Sequence, residues 1–299
     1  MTIRFGVSPI AWINDDMPEL GGDTPLDSVL RDIQDVGFSG VELGGRFPRE
    51  PEVLRALLSS YGLDLVGGWY SSNLLTHSAE AEIEAMREHL DLLQALGSCV
   101  FVIAETSNAI HGRRDVPLTN SPVLSDEEWK TFGERLTTVA DFIDSQGLRF
   151  AYHHHLGTAV ETEEELQRYL AVTGPKAGLT VDTGHAALGG IDALQVLRTA
   201  PERVAHVHCK DVRRMIFESI TTSERSFLDG VLEGMFTVPG DGDLDFAPVF
   251  EALAEIEYSG WVIVEAEQDP AVADPRTYAQ LGLGVLRSQA SLSGLKEAA

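Results

Sequence analysis

Four segments in the second half of the chain carry metal-binding side chains directly after short apolar runs. Asp182 follows the run in LTVDTGH, His208 lies in VAHVHCKD, and Glu265 follows the run in WVIVEAE. RFAYHHH ends in three histidines, His153–His155. A carboxylate in such a position loses its hydration at high cost unless it is paired or bound to a metal. Because mixed nitrogen and oxygen ligands suit Mn, Co, Fe or Zn better than Ca or Mg, the pattern predicts a site for one of those ions.

Eight repeats of a strand followed by a helix would bring these segment ends together. Apolar runs rich in β-branched and aromatic residues alternate with stretches of helical period, as in βα units around a parallel sheet. The predicted strands are Ile3–Ser8, Gly40–Leu43, Leu63–Trp69, Cys99–Ala104, Leu148–His153, Gly178–Asp182, Val204–His208 and Trp261–Glu265. The predicted helices are Leu26–Val36, Glu52–Tyr61, Ala79–Leu96, Ser125–Ser145, Thr162–Ala171, Asp192–Thr199, Phe246–Ile256 and Asp274–Leu292. The fold class is therefore α/β, and we expect residues 1–299 to form a single (β/α)8 TIM barrel.

The links between these elements favour a closed barrel with its site at one end. A Gly or Ser stands between helix and strand in VGFSG, YGLDL, LGSCV, QGLRF and EYSGW. The segments after strands are longer, notably Glu105–Leu124 and Cys209–Asp243, and long loops of this kind form the catalytic face of such barrels. An open, doubly wound sheet is the alternative, but the sequence contains no G-x-G-x-x-G after the first strand and no P-loop motif.

Strand parity predicts which side chains meet at that face. The last inward residues of neighbouring strands converge at the mouth of a barrel, so Asp182, His208 and Glu265 should lie together. In the fifth strand, if Tyr152 packs outward against the helices, then His153 and His155 face the barrel axis and His154 turns away.

Further polar and aromatic residues fall on the same predicted rim. Such donors, acceptors and aromatic platforms suit a polyhydroxylated ligand, although a solvated loop explains each residue alone equally well. A cation close to the metal site could also stabilise an enolate or bind an acid. The candidates on the rim are Ser8, Trp12, Glu42, Trp69, Ser71, Asn73, Glu105 and Asn108, and those that follow His208 are Lys210, Arg213 and Arg214.

Charge and composition exclude several kinds of partner. The 299 residues carry 22 Lys and Arg against 47 Asp and Glu, a net charge of −25, so nucleic acid and anionic membranes are poor partners. Two distant cysteines, Cys99 and Cys209, form no Cys-x-x-Cys motif, and the opening MTIRFGVSPI lacks the features of a secretion signal. We therefore expect a cytoplasmic protein whose partner is a small molecule. The sequence leaves open whether it forms a homo-oligomer.

Several of these segments together resemble a known family. The chain is similar to the inosose dehydratases of myo-inositol catabolism, within the xylose isomerase-like superfamily of sugar isomerases and epimerases. The similar segments are GVSPIAWINDDMPELGGDTPLDSVL, GFSGVELGGRFPREP, GWYSSNLL, YHHHLGTAVET, VDTGH and HVHCKDVR. The resemblance implies dehydration of the polyol ketone 2-keto-myo-inositol (scyllo-inosose) to 3D-trihydroxycyclohexane-1,2-dione. It also implies a divalent metal, Mn or Co, and an association of the activity with glutathione.

The resemblance also implies a set of metal ligands. Carried over to this chain, the superfamily's metal positions fall on His153, Asp182, His208 and Glu265. Most relatives in the superfamily have Glu at the first of these positions. A neutral imidazole there removes one negative charge from the ligand set, which should make the metal a stronger Lewis acid.

The chemistry that fits such a site is an elimination. A Lewis acid polarises a ketone and acidifies the adjacent C–H bond, and the resulting enolate can expel a β-hydroxyl group as water. We expect His155 or His185 to act as the base or the acid, with Lys210 as an electrostatic partner. A metal-dependent ketose isomerase or epimerase is one alternative, because it shares the proton abstraction but returns the proton. A non-catalytic polyol-binding protein is the other, although it would not need four metal ligands.

Overall fold

Eight parallel strands close into a barrel in the computed structural model, which describes residues 2–298. Each strand pairs with the next one along the chain, and the eighth pairs with the first, with Ile3 opposite Gly260. This confirms the predicted α/β TIM barrel. The strands are β1 (Thr2–Val7), β2 (Gly40–Leu43), β3 (Asp64–Ser72), β4 (Val100–Glu105), β5 (Arg149–His153), β6 (Gly178–Asp182), β7 (Val204–Cys209) and β8 (Gly260–Val264). A two-residue strand, Lys296–Glu297, adds to the start of β1.

Helices form the outer layer. Helix α1 shows why they form where they do, because its buried residues Val29, Leu30 and Ile33 recur at helical spacing and Gly37 ends it in the left-handed conformation at φ 97°. The helices are α1 (Leu26–Val36), α2 (Pro51–Ser60), α3 (Ala79–Ala85), α4 (Arg87–Leu96), α5 (Asp126–Ser145), α6 (Glu163–Val172), α7 (Thr183–Gly189), α8 (Ala193–Thr199), α9 (Arg214–Thr222), α10 (Phe227–Leu232), α11 (Ala247–Glu255) and α12 (Pro275–Leu292). None of the helices within residues 2–298 is both long and apolar enough to cross a membrane.

The structure corrects the prediction in the helical layer. The helix expected over Ala79–Leu96 is two helices, because Met86 leaves the helical path with ψ near −6° and ends α3 where α4 begins. Helix α7 was not predicted, because its glycine-containing sequence TGHAALG resembles a turn. Helices α9 and α10 lie inside the segment after β7 that was expected to be a loop.

Inward-facing apolar side chains fill the end of the barrel where the strands begin. Ala151 and Trp261 belong to this cluster, together with Val66, Val100, Val102, Ala205 and Ile263. Gly40 makes room for the Trp261 ring, since a Cβ atom at position 40 would lie 2.6 Å from it. The opposite end of the barrel carries the polar side chains.

Candidate active site

Four buried metal-binding side chains meet at the carboxyl ends of β5 to β8. His153 ends β5, Asp182 ends β6, His208 lies next to the end of β7, and Glu265 follows β8 directly. Their exposure is 2%, 0%, 3% and 7% respectively. One donor atom from each lies within 4.8 Å of the others. The structure therefore brings together the four residues that the sequence predicted as a group.

The donor atoms of this quartet fit a cation. Asp182 Oδ2 is buried and finds no hydrogen-bond partner within the described part of the chain. Asp182 Oδ2 lies 3.6 Å from His153 Nε2 and 3.7 Å from His208 Nδ1, and Glu265 Oε2 lies 2.5 Å from His208 Nδ1. Leaving buried polar atoms unpaired is costly, so a cation bound to two nitrogens and two oxygens fits this donor set.

The other atoms of these side chains are held by the protein. Asp182 Oδ1 accepts a hydrogen bond of 2.8 Å from the backbone N–H of His185 and so caps α7. His153 Nδ1 lies 2.8 Å from the carbonyl oxygen of His154. Because a carbonyl oxygen only accepts, His153 Nδ1 carries a proton and Nε2 presents its lone pair to the centre of the quartet.

His208 lies between two carboxylates. Its Nε2 is 3.0 Å from Glu42 Oε1, while its Nδ1 faces Glu265. Burial alone would lower the pKa of His208, but the charges of Glu42 and Glu265 raise it well above its usual value. The metal-free protein therefore holds His208 as an imidazolium, and a metal that binds at Nδ1 must displace a proton.

A second cluster adjoins the quartet. Lys210 is fully buried, and its Nζ lies 2.6 Å from Glu265 Oε1 and 2.6 Å from Glu267 Oε1. Burial opposes the charge of Lys210, but the carboxylates of Glu265 and Glu267 raise its pKa above the usual value. The ammonium group therefore bridges two carboxylates behind the metal quartet, and Lys210 does not line the cavity described below.

His155 and His185 differ in whether a ring nitrogen has a free lone pair. His155 Nδ1 lies 2.7 Å from the carbonyl oxygen of Leu156, so it donates and leaves a lone pair on Nε2. Both ring nitrogens of His185 face donors, the N–H of Leu156 at Nδ1 (3.2 Å) and the ammonium group of Lys210 at Nε2 (3.0 Å), so neither offers a free lone pair to the cavity. Burial lowers the pKa of both rings well below 6.5, which keeps them neutral at pH 7. His155 is the better candidate for a base.

A cavity of about 880 Å³ opens over these residues. Trp69, 37% exposed, lies edge-on to His153 and His155, with ring centroids 5.4 and 5.8 Å apart. Of the rim residues predicted to bind substrate, Trp69 and Glu42 line this cavity, as does Ser8. Its wall next to the quartet consists of His111, His153, His155, His208, Glu265 and Glu267.

Two predicted substrate-binding residues are instead tied into the scaffold away from the cavity. The indole of Trp12 is 3% exposed and donates to Asp32 on α1 at 3.1 Å. Glu105 is fully buried, and its oxygens accept from the backbone N–H of Leu74 at 2.6 Å and from that of Ser107 at 3.0 Å. Both side chains point away from the cavity because partners on helix α1, for Trp12, and in the loops after β3 and β4, for Glu105, bind their polar atoms.

The remaining predicted residues also lie outside the cavity lining. Arg213 donates to the carbonyl oxygen of Gly234 and to Asp241, and Arg214 donates to the carbonyl oxygen of Ala187. Arg213 therefore ties together parts of the segment after β7, and Arg214 ties this segment to helix α7. Ser71 accepts from the Trp69 indole at 2.8 Å, whereas Asn73 and Asn108 are partly buried beside the strands that precede them.

Glu267 and His111 line the cavity but were not predicted. Glu267 Oε2 is buried and has no hydrogen-bond partner among residues 2–298, and burial raises the pKa of Glu267 to about 7 against the opposing effect of Lys210. The two-residue period could have found it, because it stands two positions after Glu265. His111, whose ring centroid is 5.0 Å from that of His155, comes from the long loop after β4, where no periodicity indicates direction.

Comparison with known proteins agrees with the fold and the site. A family model described as a xylose isomerase-like TIM barrel matches residues 30–289. The chain belongs to this family. Among curated relatives of this xylose isomerase-like barrel, the rhizopine catabolism protein MocC of Rhizobium meliloti is 44% identical, over 99% of this chain and 91% of its own length. The inosose dehydratases of Geobacillus thermodenitrificans and Clostridium perfringens are 42% and 41% identical, each over 93% of this chain and 94% of their own.

Solved structures share the architecture at lower identity. A xylose isomerase domain protein from Alicyclobacillus acidocaldarius superimposes with a TM-score of 0.70 at 18% identity, over 98% of this chain and all of its own. A D-allulose 3-epimerase from Methylomonas superimposes with a TM-score of 0.67 at 18% identity, over 96% and 97%. At this identity the similarity shows the fold alone.

Proposed function

We propose that this xylose isomerase-like barrel is a metal-dependent lyase that dehydrates 2-keto-myo-inositol to 3D-trihydroxycyclohexane-1,2-dione. The observation that carries the proposal is a buried quartet in which Asp182 Oδ2 has no hydrogen-bond partner among residues 2–298, next to an imidazole with a free lone pair, in the wall of one cavity. The inosose dehydratase relatives supply the substrate and the reaction class, because their similarity extends over 93% of this chain.

In the proposal, His153, Asp182, His208 and Glu265 hold the metal. Mn or Co in that position supplies a Lewis acid that polarises the ketone and acidifies the neighbouring C–H bond. The imidazole at position 153, where most relatives in the superfamily have Glu, leaves the ligand set with two carboxylates.

We assign the proton transfers to two residues of the cavity wall. His155 Nε2 removes the proton from the carbon next to the ketone, because its lone pair is free. Glu267 Oε2 gives a proton to the departing hydroxyl group, since this oxygen is buried and free while Oε1 is held by Lys210. One C–H and one C–O bond break, water leaves, and the enol product tautomerises to the dione. Lys210 acts from behind the wall by fixing Glu265 and Glu267, and His185 contacts its ammonium group.

Product analysis tests this proposal. Chelator-treated protein should lose most of its turnover of 2-keto-myo-inositol and regain it with Mn or Co, with loss of water detected by mass spectrometry. Substrate deuterated at the carbon next to the ketone should lose its label as the product forms. Full activity in verified metal-free protein would refute metal dependence. A product with the mass of the substrate would indicate a ketose isomerase or epimerase instead.

We also propose that residues 1–299 form one domain and that the protein works in the reducing cytoplasm. The first point is supported by closure of the barrel between β1 and β8, which lie at opposite ends of the chain. The second is supported by Cys99 and Cys209, both of which are free thiols.

A further inference from the structure

Glu42 lies behind the imidazole of His208. It stands on β2, and its Oε1 is 2.9 Å from His206 Nε2 and 3.0 Å from His208 Nε2. All three side chains are buried, with exposures of 7%, 1% and 3%. We propose that Glu42 is a positioning residue of the metal centre, which holds His208 in the orientation and tautomer that present Nδ1 to the metal, and that it is not primarily a substrate-binding residue.

Hydrogen-bond chemistry determines which ring nitrogen of His208 carries a proton next to Glu42. A carboxylate oxygen only accepts, so the ring nitrogen that faces Glu42 must carry a proton. When the proton on Nδ1 is displaced, the lone pair of His208 is on Nδ1, which faces Asp182 and Glu265. A carboxylate on the far nitrogen also increases the basicity of a metal-binding imidazole. The proposal rests on the metal site of the proposed function.

His206 completes the arrangement without reaching the metal quartet. It precedes His208 by two positions on β7, so both rings lie on the same side of the strand, with centroids 4.9 Å apart. Its Nε2 donates to the same oxygen of Glu42. One oxygen of Glu42 therefore contacts both rings, and each ring contacts it independently of the other. Loss of His206 alone should therefore leave the contact between Glu42 and His208 in place.

Glu42→Gln is the informative variant, and Glu105→Gln is its matched control. Both remove one negative charge from a buried carboxylate on a barrel strand at almost constant volume. Glu105 accepts from the Ser72 hydroxyl and from backbone N–H groups, and none of its hydrogen bonds involves an imidazole. Glu42→Gln should weaken the binding of Mn or Co about 10–100-fold, as is typical when the partner of a ligating imidazole is lost. Glu105→Gln and His206→Gln should bind the metal nearly as tightly as the wild type.

Metal affinity would be measured by competition with a chelator on samples whose circular dichroism matches that of the wild type. If Glu42→Gln bound metal as tightly as the wild type and instead raised KM for 2-keto-myo-inositol, Glu42 would be a substrate-binding residue and the proposal would be wrong. Equal losses of affinity in Glu42→Gln and Glu105→Gln would also overturn it. Failure of the wild type to bind Mn or Co would instead refute the proposed function, which keeps the two outcomes distinct.

A second measurement needs no altered Glu42. In the zinc-loaded wild type, nitrogen-15 spectra of the histidine rings should show His208 with a protonated Nε2 that exchanges slowly with solvent and with the metal on Nδ1. The His208 signals would be assigned by their disappearance in His208→Gln. Zinc on Nε2 of His208, or an Nε2 proton in fast exchange, would overturn the proposal even if Glu42→Gln failed to fold.

Discussion

Replacing Lys210 with methionine removes the only ammonium group that the structure shows between Glu265 and Glu267 among residues 2–298. The Lys210 Nζ lies 2.6 Å from an oxygen of each carboxylate and 3.0 Å from His185 Nε2, and Lys210 is fully buried. Methionine is apolar and has a similar length and flexibility, so the packing of the stem is largely kept. The variant therefore isolates the effect of the buried charge.

The expected loss of stability is large. Breaking a buried ion pair by removing one partner costs about 3–5 kcal/mol, because the other partner is left as an uncompensated buried charge. Here Glu265 keeps its contact with the His208 imidazolium, but Glu267 loses the ammonium group, and the pKa of Glu267, already raised to about 7 by burial, should rise further as it takes up a proton. Protonation of Glu267 limits the penalty, so we expect a loss of about 3 kcal/mol in chelator-treated protein, the lower end of that range.

Urea unfolding of Lys210→Met, Glu267→Gln and the double variant, each followed by circular dichroism, would measure this loss. The double variant should be more stable than the sum of the two single effects predicts, by about 1–3 kcal/mol, because Gln no longer needs the ammonium group. A loss below about 1 kcal/mol in Lys210→Met, or strict additivity in the double variant, would contradict the buried charge pairing that the structure shows.

Two further predictions concern histidines. His153→Ala should lose metal, His155→Ala should keep metal but lose turnover, and His154→Ala should largely keep both metal and turnover. Elemental analysis and activity assays of the three variants test this. Metal retained in His153→Ala but lost in His155→Ala would mean that the ligand assignment is wrong. Burial lowers the pKa of His89 from 6.5 to about 4, and its Nε2 donates to the carbonyl oxygen of Gly68. Between these pH values His89 therefore binds fewer protons in the folded protein than in the unfolded chain. Stability should therefore fall as the pH drops from 6.5 to 4, by up to about 3 kcal/mol from this residue, and urea unfolding at both pH values should show a smaller fall in His89→Gln.

Asp182, His208 and Glu265 could be predicted as a group because they depend on two regular features of a parallel barrel, and the family resemblance added His153, since parity turns both His153 and His155 inward. Side chains of one parity face inward, and strand ends converge at one mouth. The register expected for the fifth strand is confirmed, since Tyr152 packs on Tyr169 of α6 with ring centroids 4.8 Å apart, while Ala151 joins the interior cluster. His153 therefore falls beside Asp182 without any knowledge of the loops.

The substrate rim could not be predicted in the same way. A residue after a strand end follows the path of its loop, and nearby hydrogen-bond partners decide where its side chain points. Glu105 shows this, because Ser72 from β3 and the backbone of Leu74 draw its carboxylate into the scaffold. Trp12 likewise turns to Asp32. Neither partner lies at a spacing that a strand or helix period could reveal.

The functions of His155 and His185 depend on the backbone of a single residue, Leu156, which explains why residue spacing left them interchangeable. The carbonyl oxygen of Leu156 accepts a hydrogen bond from His155 Nδ1, whereas the N–H of the same residue donates to His185 Nδ1. The same residue therefore engages one nitrogen in each of two neighbouring rings whose centroids lie 3.8 Å apart, and the ammonium group of Lys210 faces the second nitrogen of His185. One ring keeps a lone pair toward the cavity and the other does not, so a base and its support arise from two chemically identical side chains.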